Sequence, residues 1–196
     1  MLTHPLILAS QSPRREQILR MLGFDFEIVP PHVDETPPPG LEASAIPEAL
    51  ARVKAAEISG RRPEALVLGS DTLVEIDGRV LGKPADFAEA VSMLSSLNGR
   101  THRVYTGVAV ALGGSVAASG TACTEVTFAL HALADLEAYV RGGEPMDKAG
   151  AYAIQGRGAF LVEKIDGCFF NVMGLPVRKT LSLLSPHSPA ATSTFS

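Results

Sequence analysis

Apolar positions along the chain fall into two patterns, short continuous runs and helically spaced sets, and these divide it into strands and helices. Leu6-Ile7-Leu8-Ala9 reads as a short buried strand. It leads into Ser12-Pro13-Arg14-Arg15, then Ile18, Leu19 and Leu22 at helical spacing, and Gly23. Ser12 as N-cap, Pro13 at the first helical position and Gly23 past the end punctuate that helix. Phe26 to Val29 is a second strand. Pro37-Pro38-Pro39-Gly40 is a loop, because proline offers no amide to a ladder. A second helix is predicted from Pro47 to Ser59, with Leu50, Val53 and Ile58 facing inward. Ala65-Leu66-Val67-Leu68 is a strand ending at Gly69-Ser70-Asp71. Extended structure resumes over Thr72 to Ile76, and Asp77-Gly78 marks a hairpin turn.

Asp86 and Glu89 form a capping-box pattern ahead of Val91, Leu94 and Leu97, in a helix closed by Asn98-Gly99. Val104 to Leu112 and Ala122 to Leu130 read as long strands joined through Gly113-Gly114. A helix over Asp135 to Arg141, strands over Ala151 to Ile154 and Phe160 to Ile165, and a helix over Leu175 to Leu184 complete the pattern. The fold class is α/β, a central sheet with flanking helices. One domain is predicted over 1–184, with room for two lobes. The Ser/Thr/Ala/Pro-rich tail, 185–196, reads as disordered.

Composition narrows the class. The 196 residues are 46% hydrophobic and 19% charged, with a formal net charge of −4. That suffices for one sizeable core, and the charge argues against a nucleic-acid binder, which carries a basic patch. Cys123 and Cys168 stand far apart and build neither a disulfide framework nor a zinc site. No window reaches the apolar length of a membrane span. The start Met-Leu-Thr-His-Pro lacks a signal-peptide pattern, so a cytoplasmic location is expected.

Two places carry candidate chemistry. Arg14 and Arg15 fall in the first turn of a helix, where unpaired amides already disfavour cations. An anion held by those amides, the Ser10 and Ser12 hydroxyls and the guanidinium groups would repair the mismatch; splaying into water would do so too. Gly69-Ser70-Asp71-Thr72 follows a buried strand, where ligands collect in open α/β sheets. A carboxylate there can bind a hard metal or take a proton from water, or simply make a turn. Lys54, Lys83 and Asp34-Glu35 each read alone as solvated charges. No P-loop, dinucleotide fingerprint, local histidine metal motif or Gly-x-Ser-x-Gly is present.

The order of these segments is more specific than any one of them. Leu8-Ala9-Ser10-Gln11-Ser12-Pro13-Arg14-Arg15, Val33-Asp34-Glu35-Thr36, Ala51-Arg52-Val53-Lys54-Ala55, Gly69-Ser70-Asp71-Thr72 and Gly82-Lys83-Pro84 come in sequence. Thr106-Gly107-Val108, Glu144-Pro145-Met146-Asp147-Lys148-Ala149-Gly150, Tyr152-Ala153-Ile154-Gln155-Gly156 and Asn171-Val172-Met173-Gly174-Leu175-Pro176 follow. The set resembles the Maf-like nucleotide pyrophosphatase family from about residue 5 to residue 184.

The resemblance implies a central mixed sheet with a deep cleft, similar to inosine triphosphatase-like pyrophosphatases. It implies hydrolysis of a nucleoside triphosphate between its α and β phosphates, a divalent Mg²⁺ or Mn²⁺ ion, and a homodimer. Asp71 falls on the proton acceptor, and Ser10, Arg15, Glu35, Lys54 and Lys83 fall on the polar cleft. Arg14, Thr72 and Gln155 agree with the branch acting on dTTP and UTP. The branch acting on 7-methyl-GTP carries Trp, Gln and Glu at those places. A glutamine offers donor and acceptor to a pyrimidine imide edge, whereas Trp and Glu suit a cationic purine.

On this reading Arg14, Arg15, Lys54 and Lys83, with Ser10, bind the phosphates, and Glu35 and Asp71 hold the metal. The cellular substrates would be unwanted pyrimidine triphosphates, ordinary or modified. The alternatives are a nucleotide-sensing regulator of cell division or septum formation without hydrolysis, and a phosphatase acting at the γ position.

Overall fold

The computed structural model describes residues 2–188. Its elements in chain order are β1 (Leu6–Ala9), α1 (Pro13–Met21), β2 (Phe26–Ile28), α2 (Ile46–Arg61), β3 (Leu66–Ile76), β4 (Arg79–Leu81), α3 (Phe87–Leu97), β5 (Thr101–Leu112), β6 (Ser115–Phe128), α4 (Leu133–Arg141), β7 (Val162–Asp166), α5 (Phe169–Met173) and α6 (Val177–Leu184). The strands form one seven-stranded mixed sheet, β2-β1-β3-β5-β6-β7, with β4 hairpinned onto β3. β1 runs parallel to β2 and β3, and all other pairings are antiparallel.

The period-2 alternation of β3 and β5 sends side chains to two different layers. Leu66, Leu68, Val108 and Val110 pack with Ile18 and Leu19 of α1, Met173 of α5 and Leu184 of α6. Further along the same face, Val74, Ile76 and Val104 meet Ala90, Leu94 and Leu97 of α3 and Leu136 of α4. On the opposite face Val67, Ala109 and Ala111 meet Ala51, Ala55 and Ile58 of α2.

That second layer is built of small residues, and it is unusually close. A Cβ on Gly69 would lie 2.4 Å from the Ala51 carbonyl oxygen, and one on Gly107 would lie 2.2 Å from the Glu48 amide nitrogen. Both glycines are required because helix backbone occupies the place of a side chain.

Several expectations change. Gly69-Ser70-Asp71 does not end a strand. β3 continues through it to Ile76, because β5 pairs with it from Val67 to Glu75. What ends at Gly69 is the parallel pairing with β1. Val53 is 46% exposed, since the close approach leaves only the small-residue stripe of α2 inside. Ser12 occupies the N-cap position without a side-chain cap bond; its amide instead donates to Ser10 Oγ at 3.1 Å.

No strand forms over Ala151 to Ile154. Gly150 and Ala151 both adopt left-handed backbone, at φ 68° and 59°, which ends a 3₁₀ turn and turns the chain. The last helix is α6, which starts at Val177 after Pro176, and a short helix that the pattern did not predict, α5, precedes it and ends at Gly174 (φ 106°). Of the tail expected to be disordered, Ser185–His187 form a 3₁₀ turn, whose His187 carbonyl accepts from the Thr3 amide; residues 189–196 lie outside those described.

Candidate active site

One side of β3 is shared by two short partners. β1 covers Leu66 to Gly69, and β4 covers Val74 to Ile76. The edge between them, Ser70 to Leu73, has neither, and a cleft of about 680 Å³ opens there. That size suits a small-molecule ligand. Because side chains alternate, Asp71 leaves the gap toward α2 while Thr72 leaves it toward α1 and α5.

On the α2 side, Lys54 is 5% exposed. Its ammonium donates to Asp71 Oδ1 at 2.7 Å and lies 3.0 Å from Glu35 Oε1. The close packing over Gly69 and Gly107 brings it there. Glu35 comes from the loop before the prolines, where Asp34 Oδ1 accepts the Thr36 amide at 2.8 Å in an Asx turn. The Thr36 side chain, and after it that amide, hold the Asp34 carboxyl below its ordinary range. An ammonium has three N–H donors, so at least one remains for a ligand oxygen. Asp71 Oδ2 has no hydrogen-bond partner among the described residues and is free for water or a cation.

On the α1 side, Arg15 is fixed by three bonds. Nε donates to the Gly174 carbonyl at 2.8 Å, and the two terminal nitrogens donate to Ser10 Oγ and Thr72 Oγ1, each at 3.1 Å. Burial pulls its pKa down, and the opposing attraction of Asp71 does not restore it. Ser10, 5% exposed, thereby supports Arg15 as well as the Ser12 amide. Arg14, half-buried in the same turn, lines the cleft without a hydrogen bond to any described residue. Lys83 lines it from the loop after β4, exposed at its head.

The lining holds two further charged residues, Asp147 and Lys148, to which the motif containing them assigns no role. Lys148 Nζ donates to Asp147 Oδ1 and the Glu144 carbonyl. In all, five cations and three carboxylates line the cleft, Arg14, Arg15, Lys54, Lys83 and Lys148 against Glu35, Asp71 and Asp147. The excess is cationic in a chain of net charge −4.

Glu144 organises the far wall. Its carboxylate accepts the amides of Arg157 and Gly158 and the Tyr139 hydroxyl, each at 3.0 Å, and that hydroxyl accepts the Ala153 amide at 3.2 Å. Burial pushes the Glu144 carboxyl up, but these bonds and Lys148 outweigh it and leave it below its ordinary value. The wall so held presents Tyr152, Ala153 and Ile154 to the cleft. Gln155 follows them half-buried and is not itself among the lining residues. Ser10, Arg14, Arg15, Glu35, Lys54, Asp71, Thr72 and Lys83 are therefore brought together, and Gln155 stands at the margin.

Glu35 and Asp71 supply hard oxygen donors at one place, as Mg²⁺ or Mn²⁺ requires. Among the described residues no group of three or more His, Cys, Asp or Glu could hold a metal. Two carboxylates fit an ion that takes its remaining ligands from water and from a bound polyphosphate.

Comparison with known proteins adds to this geometry. A family model described as Maf-like protein matches residues 5–187. A dTTP/UTP pyrophosphatase of Moorella thermoacetica is 51% identical over 181 residues, covering 92% of this chain and 93% of its own. One of Symbiobacterium thermophilum is 48% identical over 180 residues, covering 92% of each chain. Among solved structures, a HAM1 protein from Coxiella burnetii aligns with TM-score 0.44 and 20% identity, covering 67% of this chain and 75% of that one.

Proposed function

The chain belongs to the Maf-like family, and from that premise we propose that it is a nucleoside triphosphate pyrophosphatase acting on dTTP and UTP. Water cleaves the α–β anhydride, releasing the nucleoside monophosphate and pyrophosphate. The observation that carries this reading is the arrangement around Ser70 to Leu73. A carboxylate fixed by a buried lysine stands at one end of a cleft whose lining is rich in cations.

Lys54 holds Oδ1 of Asp71, which leaves Oδ2 to orient the attacking water and take its proton. Arg14, Arg15 and Lys83, with the third N–H of Lys54, receive the phosphate oxygens and stabilise charge on the departing pyrophosphate. Lys148 adds a further cation toward the far wall. Glu35 and Asp71 would hold the divalent ion. When bound, it neutralises phosphate charge and polarises the anhydride. The wall at Tyr152 to Ile154 receives the nucleoside, and Gln155 closes its margin against the pyrimidine edge.

A cytoplasmic location and a homodimer belong to the same reading. The two free cysteines suit a reducing compartment. The outer edge of β6 over Val116–Cys123, with neither charge nor proline, offers a strand to a second copy.

The test is product identification. The protein is incubated with dTTP, UTP, 5-methyl-UTP, pseudouridine triphosphate, GTP and 7-methyl-GTP, with Mg²⁺ or Mn²⁺. Monophosphate and pyrophosphate from the pyrimidine nucleotides are expected. Diphosphate with inorganic phosphate would assign a γ-phosphatase, and binding without product would assign a sensor.

A further inference from the structure

Arg15 does not simply lie in the cleft; it ends a chain of hydroxyls that runs into the core. Thr72 Oγ1, which accepts from Arg15, stands 3.0 Å from Thr106 Oγ1. Thr106 is fully buried, is not a lining residue, and lies 2.8 Å from the Asn171 carbonyl oxygen.

The direction of every proton follows from counting. A hydroxyl has one hydrogen. The Asn171 carbonyl can only accept, so Thr106 spends its hydrogen there. Thr72 must then donate to Thr106, which leaves Thr72 nothing but lone pairs for Arg15. The order is Arg15 N–H to Thr72, Thr72 O–H to Thr106, Thr106 O–H to the Asn171 carbonyl.

The far end is itself braced. Asn171 Nδ2 donates to the Val104 carbonyl at 2.9 Å and to Thr124 Oγ1 at 3.0 Å. The same turn carries Gly174, whose amide bonds the Asn171 carbonyl and whose own carbonyl receives Arg15 Nε; the single hydrogen of the Ser70 hydroxyl is shared between that carbonyl and the Gly107 carbonyl, each at 2.9 Å. A Cβ on Gly174 would come within 3.2 Å of Thr72 Oγ1 and 3.3 Å of Arg15 Nε, at a φ that side chains rarely adopt. Two routes from one buried turn thus converge on one guanidinium.

We propose that Thr106, with no contact to the cleft, is a positioning residue that fixes Arg15 for polyphosphate capture by setting the proton direction of Thr72. Thr72 then acts on substrate through Arg15, as an acceptor whose own hydrogen is committed inward. The proposal rests on the polyphosphate reading of the site, and binding and turnover are measured apart for that reason.

The experiment compares wild type, Thr106→Val, Thr106→Ser, Arg15→Ala and the Arg15→Ala/Thr106→Val double variant. Affinity for α,β-methylene-UTP and for inorganic triphosphate is read by calorimetry, and kcat/KM with UTP by pyrophosphate release. Thr106→Val keeps shape, and the Asn171 carbonyl keeps its Gly174 amide partner, so the fold survives. Loss of one ordered bond to a charged group predicts about tenfold weaker binding of both probes. Thr106→Ser returns affinity to within about twofold, and in the Arg15→Ala background Thr106→Val has no further effect.

Wild-type affinity in Thr106→Val, or the same tenfold loss without Arg15, overturns the proposal. Should Thr106→Val fail to fold, Thr72→Val breaks the same chain one link outward and must show the same loss and the same dependence on Arg15. If wild type binds both probes but releases no pyrophosphate, the catalytic reading fails while the binding comparison still decides this one. If it binds neither, both are overturned.

Discussion

Replacing Lys54 by methionine keeps the length of the side chain and removes the ammonium that joins Asp71 to Glu35. Lys54 is 5% exposed, and the Asp71 side chain is 14% exposed. Removing one partner of such a pair leaves a desolvated carboxylate without compensation, which costs about 3–5 kcal/mol. The Glu35 side chain is 56% exposed, so water screens its share and the lower end, about 3 kcal/mol, is expected. For a chain of this size each kcal/mol moves Tm by about 2–4 °C, giving a drop of about 6–12 °C. The assay is denaturant and thermal unfolding of wild type, Lys54→Met, Asp71→Asn and the double variant. With both charges gone, most of the penalty should disappear, a coupling of about 2 kcal/mol. A Lys54→Met protein within about 1 kcal/mol of wild type would refute the reasoning. So would an equal penalty in the Asp71→Asn background.

Asp71→Asn should lower kcat for UTP by at least about 100-fold while nucleotide binding stays measurable by calorimetry; near-normal turnover would remove Asp71 from the proton-acceptor role. Gly107→Ala puts a methyl group where the Pro47–Glu48 backbone lies; a loss of about 1–3 kcal/mol in unfolding free energy should come with lost activity, because α2 carries Lys54. His102 is buried against Tyr152, its Nε2 2.8 Å from the hydroxyl, and burial pushes its pKa down to about 4 from 6.5. Below about pH 6.5 the unfolded chain takes a proton that the folded one refuses, so stability should fall between pH 6.5 and 4, by about 3 kcal/mol in all. Unfolding free energies across that window, compared with His102→Gln, check this: the variant should lose that part of the slope.

The parts legible in the sequence were those encoded by local period and local chemistry. Leu6–Ala9, the α1 helix and the Gly113-Gly114 turn were readable because each fixes its own backbone within a few residues, although β6 starts at Ser115 and not at Ala122. The residue types of the site were readable for a similar reason. Polyphosphate chemistry needs cations, and water activation needs a carboxylate, wherever the fold brings them. What misled was also local. Gly69-Ser70-Asp71 looks like a strand end, yet a long antiparallel partner carries β3 straight through it. Ala151 to Ile154 has strand composition, but two left-handed residues and the lack of a neighbouring strand overrule it. Val53 fits a helical stripe, but a helix packed this closely buries a narrower one.

By itself, then, the sequence determined the α/β class, the places of most helices and the inventory of charged groups that meet in the cleft. Net charge belonged to that level, and it averaged away the cationic excess of the cleft. Tertiary structure decided which of those charges act as partners. Lys54 serves Asp71 because two glycines far apart in sequence admit a helix backbone against the sheet. Arg15 is held by Gly174, 159 residues away, and through Thr72 by a threonine that never reaches the surface. Hydrogen bonds and ion pairs depend on distances of a few ångströms, and for residues so separated along the chain only packing sets those distances.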